Sequence, residues 1–285
     1  MSMMRIIGVL LTVLSFAIIL GFVIGSLFKN PYGNIAVINL HGVIGQSDLF
    51  TTGVDPVEVV NNLKEAELNP LIKAVILDID SGGGTVVGSA IIMERVLNMS
   101  KPVIALVRDA GASGAYWIAS ACDKIVAHRF SMLGSIGVSS SYLDFSGLLE
   151  RYNVSYVNLS IPEYKDMLSP YKEPTSGELS LMLDKLQNIY DYFVESVASN
   201  RNIQIDEMRV IADGRIYLGY EAIDLGLIDV LGSDDEAINL AVELGSIDEP
   251  VLVAFEEKAD IFDLISQYMK SINPLGAKRT SSINV

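Results

Sequence analysis

Ser113 stands in Gly111-Ala112-Ser113-Gly114-Ala115-Tyr116-Trp117, a serine among small residues at the start of a helical pattern. About fifty residues later Lys165 lies in Tyr164-Lys165-Asp166, in a weakly patterned segment. A serine hydroxyl is a poor nucleophile until a base takes its proton. A lysine amine can serve as that base where burial disfavours the ammonium form. Histidine is the commoner partner, but the chain has only two. His41 closes a predicted strand, and His128 ends the run Lys124-Ile125-Val126-Ala127-His128. Both read as structural. A third stretch, Asp80-Ser81-Gly82-Gly83-Gly84, joins a strand to a helix. Consecutive glycines allow a sharp turn with N–H groups directed outward, and beside a helix N-terminus such groups can hold an anion. The G-x-G-x-x-G spacing of a dinucleotide loop is not met, and no G-K-[ST] follows as in a P-loop. An oxyanion hole fits better. Ser113 follows the next strand, so neighbouring parallel strands would bring both loops to one sheet edge. The N–H groups of Gly84 and Gly114 would then flank a tetrahedral oxyanion. Alone, Ala-Ser-Gly is a packing or capping motif and a loop lysine is a solvated charge. The pairing with the glycine turn favours chemistry.

These residues need elements to hold them, and the chain alternates strand and helix patterns. Strands are expected over 34–40, 72–78, 102–107, 124–127 and 154–159, and helices over 55–68, 86–97 and 113–122. The run 72–78 is continuously apolar, as in a strand covered on both faces. This order argues for an α/β domain with a largely parallel sheet. Farther on, Leu179, Leu181, Leu183, Leu186, Ile189, Tyr190 and Phe193 recur near helical spacing and predict one long helix over 176–200. A helical turn over 207–212, a short glycine-punctuated run over 215–232 and a helix over 234–244 follow. A strand over 251–255 and an amphipathic helix over 260–270 complete the pattern.

Composition bounds the function. Of the 285 residues, 50% are hydrophobic, which excludes general disorder. A net charge of −15 argues against nucleic acid as a partner. The single cysteine, Cys122, excludes an internal disulfide and a Cys-based zinc site and reads as core. No metal or cofactor is expected. Residues 6–28 carry no charge. As a helix they would span roughly 35 Å, against about 30 Å for a bilayer core. The apolar region of a cleaved signal peptide is usually shorter, about 7–15 residues. The expected organisation is a membrane anchor over 1–29, one catalytic domain over 30–270 and a polar tail over 271–285. An extracytoplasmic placement of the domain is compatible with its acidity, since long domains translocate largely regardless of charge.

The segments DIDSGGGTVVGSA, GASGAYWIASACDKIVA, LGSIGV, EYKDMLSP and GRIYLGYEAIDLGLIDVLG together resemble the signal peptide peptidase A family of membrane-bound serine proteases, over about residues 34–245. The resemblance implies the fold shared by the Clp protease proteolytic subunit and the crotonases, a spiral of ββα units. It implies Ser113 as nucleophile, Lys165 as general base, Ser135 as the serine that hydrogen-bonds the lysine, and Gly84 and Gly114 as oxyanion-hole donors. It also implies peptide substrates such as leftover signal peptides in the membrane, and a homo-oligomer whose copies jointly build the substrate groove. The family usually reads Asn-Ser-Pro-Gly-Gly where this chain has Asp80-Ser81-Gly82-Gly83-Gly84, which implies a less rigid loop. Two other classes share parts of this pattern: a crotonase-type acyl-CoA enzyme and a catalytically inactive membrane scaffold.

Overall fold

The computed structural model describes residues 33–45 and 53–255. The expected anchor over 6–28, the helix over 260–270 and the polar tail lie outside the described residues. No helix among the described residues is long and apolar enough to cross a membrane.

The described elements begin with strands β1 (Ile35–His41), β2 (Val43–Ile44) and β3 (Gly53–Val54). Helix α1 (Pro56–Leu68), strand β4 (Ala74–Ser81), helix α2 (Val86–Leu97), strand β5 (Val103–Ala112) and helix α3 (Gly114–Ser120) follow. Next come β6 (Lys124–Ala127), β7 (Met132–Gly134), α4 (Ser146–Arg151), α5 (Ser176–Arg201) and α6 (Ile205–Ile211). The described chain closes with β8 (Ile216–Leu218), α7 (Gly219–Ala222), β9 (Val230–Leu231), α8 (Asp234–Gly245) and β10 (Leu252–Phe255). The main sheet runs β10-β1-β4-β5-β6-β9, and β7 joins β5 and carries β8. The pairs β1–β4, β4–β5, β5–β6, β5–β7 and β6–β9 are parallel, and β7–β8 is antiparallel. A parallel-dominated α/β sheet of this kind fits the Clp protease-like fold.

The buried strands follow from their composition. On one face Ile35, Ala74, Ile76, Ile104, Leu106 and Val126 pack with Ala237 and Ala241 of α8. The alternate residues Val75, Leu77 and Ile79 are buried as well, so β4 is covered on both faces as its apolar run requires. Helix starts are set by short polar side chains. Asp55 caps α1 by accepting the Val57 N–H, with Pro56 in the first turn, and Thr85 caps α2 by accepting the Gly88 N–H.

A charged cluster ties three strands to α8. Arg108 donates to both oxygens of Asp78, at 2.8 and 2.7 Å, and to both oxygens of Asp234, each at 2.7 Å. His41 Nε2 lies 3.2 Å from Asp78. Burial would raise the Asp78 carboxyl, but hydrogen bonds from Arg108 and His41 outweigh it and hold it below the usual carboxylate range.

Two features of β5 shape the site. The strand is longer than its apolar run 102–107 suggests and continues to Ala112. Along Ile104–Val107 its neighbour is β6, whereas along Ala110–Ala112 it is β7. The change of neighbour places the β7 end beside the strand's last residue.

The strand expected over 154–159 does not form; these residues carry no regular structure and are exposed. No strand among the described residues pairs with them, and an unpaired strand has no stability of its own. The wider segment exposes large apolar side chains, including Leu143, Leu148, Tyr152, Val157, Leu159 and Ile161. Its later part is fastened to α5. Lys172 bridges Asp166 at 3.1 Å and Glu178 at 2.7 Å, and Glu178 also closes a capping box with Thr175.

Candidate active site

Ser113 follows β5 directly and precedes the first residue of α3. Its backbone has φ 54 and ψ −126, so it caps the helix from outside rather than beginning it. A non-glycine residue in such a region costs about 1–3 kcal/mol and persists only where its surroundings impose it. Here the Ser113 N–H donates to the Gly134 carbonyl at 2.8 Å, and the Ser113 carbonyl accepts from Trp117 at 3.0 Å. The strain presents the side chain into a groove of about 740 Å³. Its hydroxyl has no hydrogen-bond partner among the described residues.

The glycine turn lies against this serine. Ile44 donates its N–H to the Gly83 carbonyl at 2.9 Å and accepts the Thr85 N–H at 2.8 Å, forming a parallel bridge across Gly84. In such a bridge the central residue's own N–H points away from the partner strand. The Gly84 nitrogen also lies close to Gly114, since a Cβ added at Gly114 would come within 3.6 Å of it. Gly83 has φ +100, and a Cβ there would lie 2.8 Å from the Gly114 nitrogen and 2.9 Å from Ser113 Cβ. Gly84 and Gly114 thus lie together beside Ser113, which makes their N–H groups candidates for holding a developing oxyanion. The loop is more firmly held than the absence of proline implies. Ser81 braces it on one side, and Asp80 accepts the Ala110 N–H at 3.1 Å on the other.

Ser135 also lines the groove, at φ 49, with its N–H given to the Arg215 carbonyl at 2.8 Å. It follows Gly134, the residue that receives the Ser113 N–H, and so stands close to Ser113. Lys165 does not. It lies in a 3₁₀ turn, Glu163–Asp166, is exposed, and is not among the groove residues. Its amine makes no hydrogen bond or ion pair among the described residues. The structure therefore brings together Ser113, Gly84, Gly114 and Ser135, and leaves Lys165 outside. Neither histidine lines the groove. His41 faces Asp78, and His128 accepts the Phe130 N–H at 3.3 Å. Cys122 is buried beneath α3, and burial pushes its thiol well up.

Sequence reasoning missed several contributors. Ser89 of α2 is fully buried under Gly114, and a Cβ at Gly114 would meet its hydroxyl at 2.1 Å. A side chain at position 114 would therefore collide with Ser89. Trp117 stacks on Phe193 with ring centroids 4.7 Å apart and so docks α5 against the nucleophile's helix. The far wall of the groove is apolar and comes from α5, through Leu183, Leu186, Ile189, Tyr190 and Phe193. Their helical spacing was visible; their facing the serine was not.

A serine in a strained strand-to-helix turn, with the backbone of two glycines beside it at the edge of a groove, is an arrangement suited to a serine hydrolase. Residues 95–248 match the profile of peptidase family S49. The chain is 31% identical to a putative signal peptide peptidase SppA of Enterococcus faecium, over 88% of this chain and 75% of the relative. It is 32% identical to a putative protease of Methanocaldococcus jannaschii, over 72% of this chain and 67% of that protein. A chloroplastic serine protease SPPA of Arabidopsis thaliana is 30% identical over 75% of this chain, which spans only 32% of that longer protein. The chain belongs to peptidase family S49, the signal peptide peptidase A family, and is a serine peptidase. Family membership sets aside the acyl-CoA enzyme.

Proposed function

We propose that this chain is a membrane-anchored endopeptidase in which Ser113 is the nucleophile and a Lys165 amine from a neighbouring copy is the general base. The observation that carries this reading is the composition of the groove: a free serine hydroxyl and two oxyanion donors, with the candidate base outside it on the same chain. In the reaction, the neutral amine takes the Ser113 hydroxyl proton as Oγ bonds to the peptide carbonyl carbon. The oxygen becomes an oxyanion held by the Gly84 and Gly114 N–H groups. Collapse of this intermediate expels the amine half of the substrate, which receives the proton from the lysine ammonium. Water then attacks the acyl-enzyme by the same route and frees Ser113. Ser135 orients the incoming amine. A homo-oligomer is implied, and the exposed apolar side chains around Leu143 to Ile161 give it material to bury.

The substrates are apolar peptide segments, such as leftover signal peptides in the membrane. The apolar side chains of α5 along the groove and the name of the Enterococcus relative, a putative signal peptide peptidase, support this class. Anchoring rests on the uncharged run 6–28, with the catalytic domain extracytoplasmic. A reporter fused after Val285 should be active only outside the cytoplasm; activity only inside it would overturn this placement.

Mixing inactive variants tests the shared site. Ser113→Ala copies and Lys165→Met copies, each inactive alone, are co-assembled in equal amounts. In a head-to-tail ring about a quarter of the sites should regain a complete dyad. No recovery, with mixed assemblies verified by mass, would mean that each copy must supply both residues.

A further inference from the structure

Ser81 ends β4 just before the glycine turn. It is 2% exposed and does not line the groove, so it neither attacks nor binds substrate. Its hydroxyl is nevertheless engaged. It donates to the Gly42 carbonyl at 2.6 Å and accepts the Gly83 N–H at 3.1 Å, and the Gly83 carbonyl also lies 3.4 Å from it. The polarity is fixed by the partners, since a carbonyl can only accept and an N–H can only donate. One hydroxyl thus spans the two chain segments that define the oxyanion loop. On one side is 42–45, whose Ile44 bridges Gly84; on the other is the turn itself, through Gly83. Gly83 holds φ +100 against Ser113 and the Gly114 nitrogen, and the next N–H in the chain is that of Gly84. Gly82 gives no comparable hold, because nothing lies within 4 Å of where its Cβ would be.

We propose that Ser81 is a positioning residue of the oxyanion hole. It acts through Gly83 to aim the Gly84 N–H at the developing charge. The proposal rests on Gly84 and Gly114 being the oxyanion donors.

The experiment uses the full chain and a peptide substrate, with Ser81→Ala and Ser81→Thr. Deleting one oxyanion donor outright typically costs about 10²–10³ in rate, and misaiming one should cost about 10- to 100-fold. Ser81→Ala is therefore expected to lose that factor in kcat with KM nearly unchanged. A peptide aldehyde, whose adduct on Ser113 places an oxygen in the hole, should bind more weakly by a similar factor. The corresponding peptide alcohol, which forms no adduct, should bind as before. Ser81→Thr restores both hydrogen bonds and should restore kcat and aldehyde affinity. Wild-type kcat and aldehyde affinity in folded Ser81→Ala would overturn the proposal. So would equal weakening of aldehyde and alcohol, or a folded Ser81→Thr without rescue. If circular dichroism shows Ser81→Ala unfolded, Ser81→Cys keeps the volume with a weaker donor and acceptor, and wild-type kcat there overturns the proposal. Ser113→Ala in parallel separates the two readings: cleavage in Ser113→Ala defeats the nucleophile assignment, whereas its loss beside wild-type Ser81→Ala defeats the Ser81 role alone.

Discussion

Ser113→Ala should lower peptide cleavage by about 10⁴-fold or more, the loss typical of removing a hydrolase nucleophile. Labelling by a fluorophosphonate should disappear with it. Lys165→Arg should be nearly as inactive, because a guanidinium stays protonated in proteins and cannot accept the hydroxyl proton. Charge is conserved in that variant, so its failure would isolate basicity from simple electrostatics. The exposure of Lys165 makes the test clean, since replacing an exposed side chain usually changes stability by no more than about 0.5 kcal/mol. Ser135→Ala retains the nucleophile and both oxyanion donors and should show a partial loss. Turnover measured on a fluorogenic peptide decides the matter. Near-normal turnover in Lys165→Arg would remove the lysine base from the mechanism and return attention to His41 and His128.

The three adjacent glycines should respond very differently to alanine. Gly82→Ala should be active and slightly stabilised, by about 0.4–1 kcal/mol, because alanine restricts the unfolded chain and nothing stands within 4 Å of the new methyl. Gly83→Ala places a methyl 2.8 Å from the Gly114 nitrogen on a backbone at φ +100, which is strained for any side chain. Gly84→Ala brings a methyl to 2.1 Å from the Ile44 carbonyl oxygen, so the ladder that orients the loop must separate. Both are expected to lose at least the 10²–10³ in kcat associated with a missing oxyanion donor. Kinetics and thermal melts on the three variants check this. Full activity in Gly84→Ala would refute the dependence of the turn on its close approach to Ile44, and an inactive, well-folded Gly82→Ala would show that the turn needs freedom at its first position.

Much of this was legible in the sequence because local signals agreed. The helix over 86–97 has Thr85 as its cap and an uninterrupted apolar face, and it spans those residues in the structure. The buried strands were marked by runs no surface could carry. The meeting of Gly84 with Gly114 followed from strand order alone. Other features depended on contacts distant in sequence. The end of β5 at Ala112 is set by β7, which the three residues Met132-Leu133-Gly134 do not announce. The run 154–159 has strand composition, yet strand formation needs a partner and none among the described residues provides one. The position of Lys165 outside the groove is likewise a matter of how a whole segment lies, which its own residues do not encode. The brace at Ser81 was hidden because serine before glycine is usual in turns, and only the approach of Gly42 gives its hydroxyl work.

The bridge between Ile44 and Gly84 also bears on when the chain becomes dangerous. Its partners are about forty residues apart, and Gly84 meets Gly114 only after a further thirty or so. Contacts this distant form late relative to local helices. A nascent chain can therefore expose Ser113 without any means of holding the charge its attack would create. Under the proposed mechanism hydrolytic power waits for the completed sheet and for the lysine of a neighbouring copy, so the partly folded chain spares itself and its neighbours.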